Sequence, residues 1–288
     1  MRIAGIDIGG TTVKIGLFEP DKGLIGRTQL ATITGNPEAL VDSIKETVQQ
    51  LAVDFIGIGT AGAVDTSTGL VTAGNLHWRD VPLRQLMEQR LCCPVWVDND
   101  AQAALMAEHY NGACAGFRNV VYLTLGTGIG GALLLGGKPW RGHDNTAGEL
   151  GHIITHADGL PCSCSKCGCF EVYASASALS RMAGGLAAKD VIDAARAGDP
   201  EYLDLFAVYL HELGIGLVTL IMIFNPEVIV IGGGISSAGD ILLEGIRREV
   251  KALFAGRPNY FKGTIQLARH RNDAGMIGAA VLAQSHFA

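Results

Sequence analysis

Clustered positive charge is missing from this 288-residue chain: the net charge is −6, and no run of Lys or Arg exceeds two residues. Neutralising a phosphate backbone takes a basic stripe, so no nucleic-acid partner is expected. Long apolar runs are missing as well. No uninterrupted stretch approaches the roughly 20 residues that span a bilayer, and the run at 217–224 stops at Asn225-Pro226. The opening Met1-Arg2-Ile3-Ala4-Gly5-Ile6-Asp7 meets a carboxylate before an apolar signal-peptide core could form. A soluble, cytoplasmic protein with no membrane partner is the expectation. Charged residues make up only 17% of the chain against 48% hydrophobic ones, which is too little charge for disorder and enough apolar surface for a core. Two nucleotide signatures are also absent: Gly-x-x-x-x-Gly-Lys-Ser/Thr, and a Gly-x-Gly-x-x-Gly that opens a helix after the first strand. Their absence argues against a P-loop and against a dinucleotide fold.

Strands and long helices are both legible, which argues an α/β architecture, and the length favours two lobes over one growing core. Residues 3–18 read as two β-rich runs around Gly9-Gly10, and residues 120–135 repeat that design around Gly126-Thr127-Gly128. Between the two hairpins lie a helix from Asn36 to Leu51, a strand 55–59, and a strand 95–97 running into Asp98-Asn99-Asp100 and an Ala-rich helix to Tyr110. A mostly helical stretch from about 177 leads to the strand 228–231, and further helices start near 240 and 274. A lobe boundary is placed near 116–118. Lobe one is then 1–117, completed by the helix 274–288, and lobe two is 118–273.

Asp7-Ile8-Gly9-Gly10-Thr11 places a carboxylate beside a turn whose glycines let the backbone wrap a phosphate; the carboxylate can hold magnesium through water. A plain glycine hairpin explains the segment on its own equally well. The second turn, Gly126-Thr127-Gly128-Ile129-Gly130-Gly131, strengthens the first reading, because two such hairpins can grip β- and γ-phosphates from opposite sides. Gly232-Gly233-Gly234 after an apolar strand would admit an adenine ring close to the backbone. Asp100 starts a helix, so it is either an N-cap or a general base toward an attacking hydroxyl. Asp98 has the same parity: a continuing strand would put both carboxylates on one face, and a turn would separate them.

Seven cysteines are present, four of them within 162–169. His152, Cys162, Cys164 and Cys169 offer one nitrogen and three sulfurs at a spacing suited to structural zinc. Buried reduced thiols are one alternative, and an all-cysteine site that adds Cys167 is another. Cys92, Cys93 and Cys114 read as small core residues. Glu149 and Glu171 flank the loop, either as acceptors for sugar hydroxyls or as solvated surface groups.

Taken together, Asp7–Thr11, Gly74-Asn75-Leu76, Asn99-Asp100, Leu123–Gly131, Glu149-Leu150-Gly151-His152, Cys162-x-Cys164-x4-Cys169-x-Glu171 and Gly232–Gly234 resemble the ROK family of sugar kinases and repressors over essentially the whole chain. The resemblance implies a two-lobed actin-like ATPase (ribonuclease H-like) fold with the active site in the interlobe cleft. It implies transfer of the γ-phosphate of MgATP to the 6-hydroxyl of a glucose-type aldohexose, with N-acetylmannosamine as the runner-up, in a homodimer. Asp100 would be the base, and Asn75, Asn99, Glu149, His152 and Glu171 would bind sugar hydroxyls. The zinc on His152, Cys162, Cys164 and Cys169 would be structural. Family repressors carry a DNA-binding segment ahead of the first hairpin; here that hairpin begins at residue 3, so the repressor reading is not expected. Thr60-Ala61-Gly62 departs from a family pattern that often has proline before the glycine, and Cys167 is an extra thiol; both departures bear on sugar choice. A non-catalytic sugar sensor would show a lost base or a broken turn, whereas acetate-kinase-like and chaperone ATPases leave the His/Cys loop unexplained.

Overall fold

The computed structural model describes residues 1–257 and 260–288. The chain divides into two compact units. Unit 1 comprises Met1–Ala115, Arg141–Ala147 and Asn272–Ala288, and unit 2 comprises Gly116–Trp140 and Gly148–Arg271.

In unit 1 the hairpin of β1 (Ile3–Ile8) and β2 (Thr12–Glu19) is extended by the exposed edge strand β3 (Gly23–Ala31). Helix α1 (Pro37–Val48) starts where Asn36 accepts a hydrogen bond from the Ala39 amide at 3.1 Å with proline at the first helical turn, a favoured N-terminal combination. Its Leu40, Val41, Ile44 and Val48 fall on one buried stripe. Strand β4 (Phe55–Thr60) follows, then a small antiparallel sheet of β5 (Ala63–Asp65), β6 (Leu70–Ala73) and β7 (Trp78–Pro82). Helix α2 (Leu83–Leu91) leads to β8 (Val95–Asn99) and α3 (Asp100–Asn111). The main sheet has the order β3-β2-β1-β4-β8, antiparallel through the hairpin and parallel from β1 to β8. β1 and β4 are buried almost throughout, as parallel strands covered on both faces require.

Unit 2 opens with β9 (Val120–Leu125), β10 (Ile129–Leu135) and β11 (Lys138–Trp140). After the cysteine loop come α4 (Glu171–Ala174), α5 (Ala176–Met182), α6 (Ala188–Arg196) and the long α7 (Pro200–Phe224). Strand β12 (Val228–Gly232), helix α8 (Asp240–Leu253) and strand β13 (Thr264–Leu267) complete it. Its sheet, β11-β10-β9-β12-β13, repeats the layout of the first: an antiparallel three-strand meander continued by two parallel strands. The duplication seen in the hairpins therefore extends to whole sheets. The last helix, α9 (Ala274–Phe287), returns to unit 1, where it packs on β1, β4 and α3.

One expectation is qualified and another changes. Among the described residues one helix, α7, is long and apolar enough to cross a membrane, although His211 and Glu212 interrupt its apolar sequence. Half of its apolar window is buried within the structure, and Leu213, Leu217, Leu220 and Ile221 join the core of unit 2. Of the three cysteines read as core, only Cys114 is buried. Cys92 is exposed and caps α2 in a left-handed conformation with φ 50°, and Cys93 is half-buried. A helix has to end somewhere short of Pro94, and that demand places Cys92 at the surface.

Candidate active site

The first glycine turn closes β1 onto β2, with the Gly9 amide donating to Thr12 O at 3.1 Å and Thr32 Oγ1 donating to Gly9 O at 2.7 Å. Asp7, near the end of β1, lies opposite Lys14, whose Nζ stands 3.4 Å from Asp7 Oδ2. Burial pushes the Asp7 carboxyl up from its ordinary value, and the Lys14 ammonium opposes that shift without cancelling it. Asn75 sits in a short 3₁₀ turn, Gly74–Leu76, with its amide nitrogen 3.3 Å from where a side chain at Gly10 would begin. The first glycine turn and Asn75 therefore adjoin.

Asn99, not Asp100, caps α3. Its side-chain oxygen accepts from the Ala101 amide at 2.9 Å and the Gln102 amide at 3.3 Å, and its amide donates to Gly62 O at 3.1 Å. The N-cap reading of Asp100 is corrected in that Asn99 is the cap, with Asp100 Oδ1 also accepting from the Ala101 amide at 2.8 Å; Asn99 retains one N–H for anything else. Asp100 opens the helix as its first residue and is half-buried. The strand ends at Asn99, so Asp98 does not share a face with Asp100: it turns inward, 2% exposed, to pair with Arg141. Sequence parity held no signal for that partner.

In unit 2 the turn Gly126–Gly128 joins β9 to β10, closed by the Gly126 amide on Gly128 O at 3.0 Å. Glu171 reaches this turn from the start of α4, accepting from the Ile129 amide at 3.3 Å. Its carboxylate lies so close that a Cβ on Gly128 would stand 2.4 Å from Oε2, so a side chain there would displace the carboxylate. The other oxygen, Oε1, is 3.1 Å from Cys162 Sγ and 3.6 Å from His152 Nδ1. One carboxylate thus links the glycine turn to the His/Cys cluster.

Within that cluster the donor atoms of His152, Cys162, Cys164 and Cys169 lie within 4.8 Å of one another. Cys164 and Cys169 sulfurs are 3.5 Å apart, and Cys162 Sγ is 3.7 Å from His152 Nδ1. Zn–S bonds of about 2.3 Å at tetrahedral angles need sulfurs about 3.8 Å apart, so the set fits a zinc shell with little adjustment. Cys167 is exposed and outside the group. Backbone pairing orders the loop, with isolated bridges Ile154 to Cys169 and Pro161 to Cys167. A 3₁₀ turn, Leu150–His152, brings His152 Nε2 to 4.0 Å from Glu149 Oε2, and the Glu149 side chain is 62% exposed.

The third glycine cluster divides into two roles. Gly233 has φ 79° and ψ 178°, a conformation essentially confined to glycine, and a Cβ there would meet the Leu125 backbone at 2.4 Å. Gly232 abuts Tyr122, whereas Gly234 faces open space. Internal packing accounts for the first two, and Gly234 is the member with room for a ligand. Thr11, whose carbonyl accepts from the Thr32 amide at 3.0 Å, and Thr127 lie in the two turns, and Gly130 is the second residue of β10.

Residues 3–286 match the sequence profile of the ROK family. The chain belongs to the ROK family. A glucokinase from Streptomyces coelicolor is 36% identical over 97% of this chain and 96% of its own length. The crystal structure of a ROK family glucokinase from Streptomyces griseus, in complex with glucose and AMPPNP, superposes with a TM-score of 0.87 at 35% identity, covering 99% of this chain and all of the other. A Listeria monocytogenes protein, provisionally described as an N-acetylmannosamine kinase, gives the same TM-score at 26% identity, covering 99% of each chain. The ROK chain has the two-lobed actin-like ATPase fold, an α/β architecture in which each unit carries one of the duplicated sheets.

Proposed function

We propose that this ROK chain transfers the γ-phosphate of MgATP to the 6-hydroxyl of a glucose-type aldohexose. It is an ATP-dependent hexose kinase, and the choice of glucose rests on the glucokinases it is similar to. The observation that carries the reading is Glu171: one carboxylate borders both a glycine turn of the phosphate-holding kind and the His/Cys loop. A phosphate site and a hydroxyl-accepting site are therefore built together.

Asp100 is assigned as the general base. Its carboxylate, whose Oδ1 accepts from the Ala101 amide at 2.8 Å, is assigned to take the proton of the attacking hydroxyl, a role worth about 100-fold to 10,000-fold. Asn75, Asn99, Glu149, His152 and Glu171 are assigned to the sugar hydroxyls. Asp7, Gly9, Gly10 and Thr11 with Gly126, Thr127, Gly128 and Gly130 hold the phosphates, and Gly232–Gly234 border the adenosine. Phosphoryl transfer asks little covalent chemistry of the protein, so alignment and charge compensation supply the acceleration. The half-buried Asp7 carboxylate, balanced only in part by Lys14, suits the magnesium that neutralises the phosphates. Zinc on His152, Cys162, Cys164 and Cys169 has a structural role: with His152 Nδ1 turned to the sulfurs, Nε2 stays on the Glu149 side. The two units are assigned as the functional lobes, and a cytoplasmic homodimer is the proposed state, to be checked by sedimentation equilibrium.

The test is ADP release with MgATP against glucose, mannose, fructose, allose, N-acetylglucosamine and N-acetylmannosamine. Glucose is expected to lead in kcat/KM by about 100-fold, roughly 2.7 kcal/mol of discrimination. Preference for N-acetylmannosamine would favour the second reading, which the Listeria likeness supports. Asp100→Asn should abolish turnover while sugar affinity stays within about tenfold; retained turnover would reassign the base.

A further inference from the structure

Asp98 is a buried carboxylate two residues from the proposed base, and its surroundings form a closed network. Arg141 meets it with two bonds, Nη2 to Oδ2 at 2.5 Å and Nε to Oδ1 at 3.3 Å. Trp96 Nε1 donates to Oδ2 at 3.3 Å, and the Asn99 amide donates to Oδ1 at 2.9 Å. Both oxygens are thus used, and one of the four bonds goes to the backbone of the residue that caps α3. Over the indole, the Arg84 guanidinium lies 5.4 Å from the Trp96 ring centre and donates to the carbonyls of Thr66 and Ser67.

Arg141 begins the segment Arg141–Ala147, which belongs to unit 1 although its chain neighbours Trp140 and Gly148 belong to unit 2. The segment is closed on itself by the Ala147 amide donating to Arg141 O at 3.0 Å. A second tie holds it to unit 1, Thr66 Oγ1 donating to Asn145 Oδ1 at 2.9 Å. The same Thr66 is the one whose carbonyl Arg84 holds. A short strap is therefore held at two points, by Arg141 on Asp98 in β8 and by Asn145 on Thr66 in the β5–β6 turn, and the first leads directly to the Asn99 amide. An ion pair whose carboxylate is this deeply buried is a poor source of net stability, because desolvation offsets much of the attraction. Orientation is what a two-pronged guanidinium supplies.

We infer that Arg141 is a positioning residue for phosphoryl transfer, acting through Asp98 to fix the turn that carries Asp100. The inference rests on Asp100 being the base of the kinase reaction. Misplacing a reacting group by about 1 Å can cost about 100-fold in rate, and that is the scale at which loss of the latch is read.

The experiment compares the full-length wild type with Arg141→Met, Arg141→Lys, Asp98→Asn and the Arg141→Met/Asp98→Asn double variant. The readouts are kcat, separate KM values for sugar and ATP, and hydrogen exchange of peptides spanning 96–102 and 141–147. Arg141→Met is expected to lower kcat by about 100-fold with the KM for ATP changed by less than about twofold. Arg141→Lys keeps the charge but not the fork, so kcat should recover to within about tenfold of wild type; this variant carries the test should the methionine variant fail to fold. The double variant should be no slower than Arg141→Met, and exchange should rise in both peptides together. Variants that lose thermal stability yet keep kcat and both KM values within about twofold would overturn the inference and leave a purely structural ion pair. So would faster exchange confined to 141–147. A wild-type enzyme without sugar-dependent turnover would instead refute the kinase reading, while the exchange result would still decide whether the latch exists.

Discussion

The fold disfavours the charged form of Asp7. Burial raises its carboxyl above the ordinary value and Lys14 restores only part of the difference. A carboxyl raised in the folded state contributes stability that is fully present below its unfolded pKa, about 3.9, and that is lost as pH rises through the folded value. Asp7→Asn is therefore expected to melt at a higher temperature than wild type near neutral pH, with the gap closing toward pH 4, while kcat falls. Thermal melts at several pH values check this; a gap independent of pH would trace the effect to something other than the charge. A carboxyl whose charged form the fold disfavours is a candidate for a functional role. Asn99 shows the opposite economy, since its side chain is largely consumed by the backbone of α3 and by Gly62 O. Asn99→Ala should cost about 1 kcal/mol from the lost cap, measured by urea unfolding, in addition to any effect on the sugar. Asn99→Asp keeps the cap and loses the donor to Gly62 O, which separates the two contributions.

Elements bring these residues together through short turns, and the turns themselves can be divided experimentally. Gly233→Ala forces a side chain into a glycine-only conformation against the Leu125 backbone, at a cost of about 1–3 kcal/mol. Gly234→Ala points into open space and should leave the melting temperature unchanged while raising the KM for ATP several-fold. If Gly234→Ala left the KM unchanged, the adenosine assignment of this cluster would be wrong. The cysteine loop divides in a similar way. Cys164→Ser is expected to lose bound zinc, measured by atomic emission, and to lower the melting temperature, since the loop is organised by its donor set and a few backbone bonds. Cys167→Ser, altering an exposed thiol outside the group, is expected to retain the metal. Equal zinc loss from both would favour the all-cysteine alternative.

At the scale of the molecule, each unit is built on the same five-strand sheet, and the long helix α7 anchors the core of unit 2. Leu213→Ala removes a fully buried side chain from that helix and should cost about 2–5 kcal/mol by denaturant unfolding; an effect below 1 kcal/mol would mean that α7 is not the core helix its burial indicates. Much of this architecture was legible beforehand. The paired hairpins, α1 with its Asn-Pro start, the amphipathic α8, the apolar and Ala-rich helices α3 and α9, and the strand β12 announce themselves through local composition, periodicity and glycine turns. The small sheet β5-β6-β7, the helix α2 and the edge strands β3, β11 and β13 were missed; they are short or solvent-facing, and their patterns are too brief or too polar to stand out. The chemistry divides along the same line. Sequence by itself determined which residue types could serve: the carboxylates near glycine turns, the zinc-type donor set, and the motifs of the ROK family, because turns and ligand spacings are short-range properties of the chain. Only the tertiary structure decided which of those groups were already committed. Asn99 is bound into a cap, Gly233 into packing, and Asp98 into an ion pair with a residue 43 positions away. Such commitments arise because a buried polar group must find a partner wherever the fold supplies one, and no local spacing encodes where that will be.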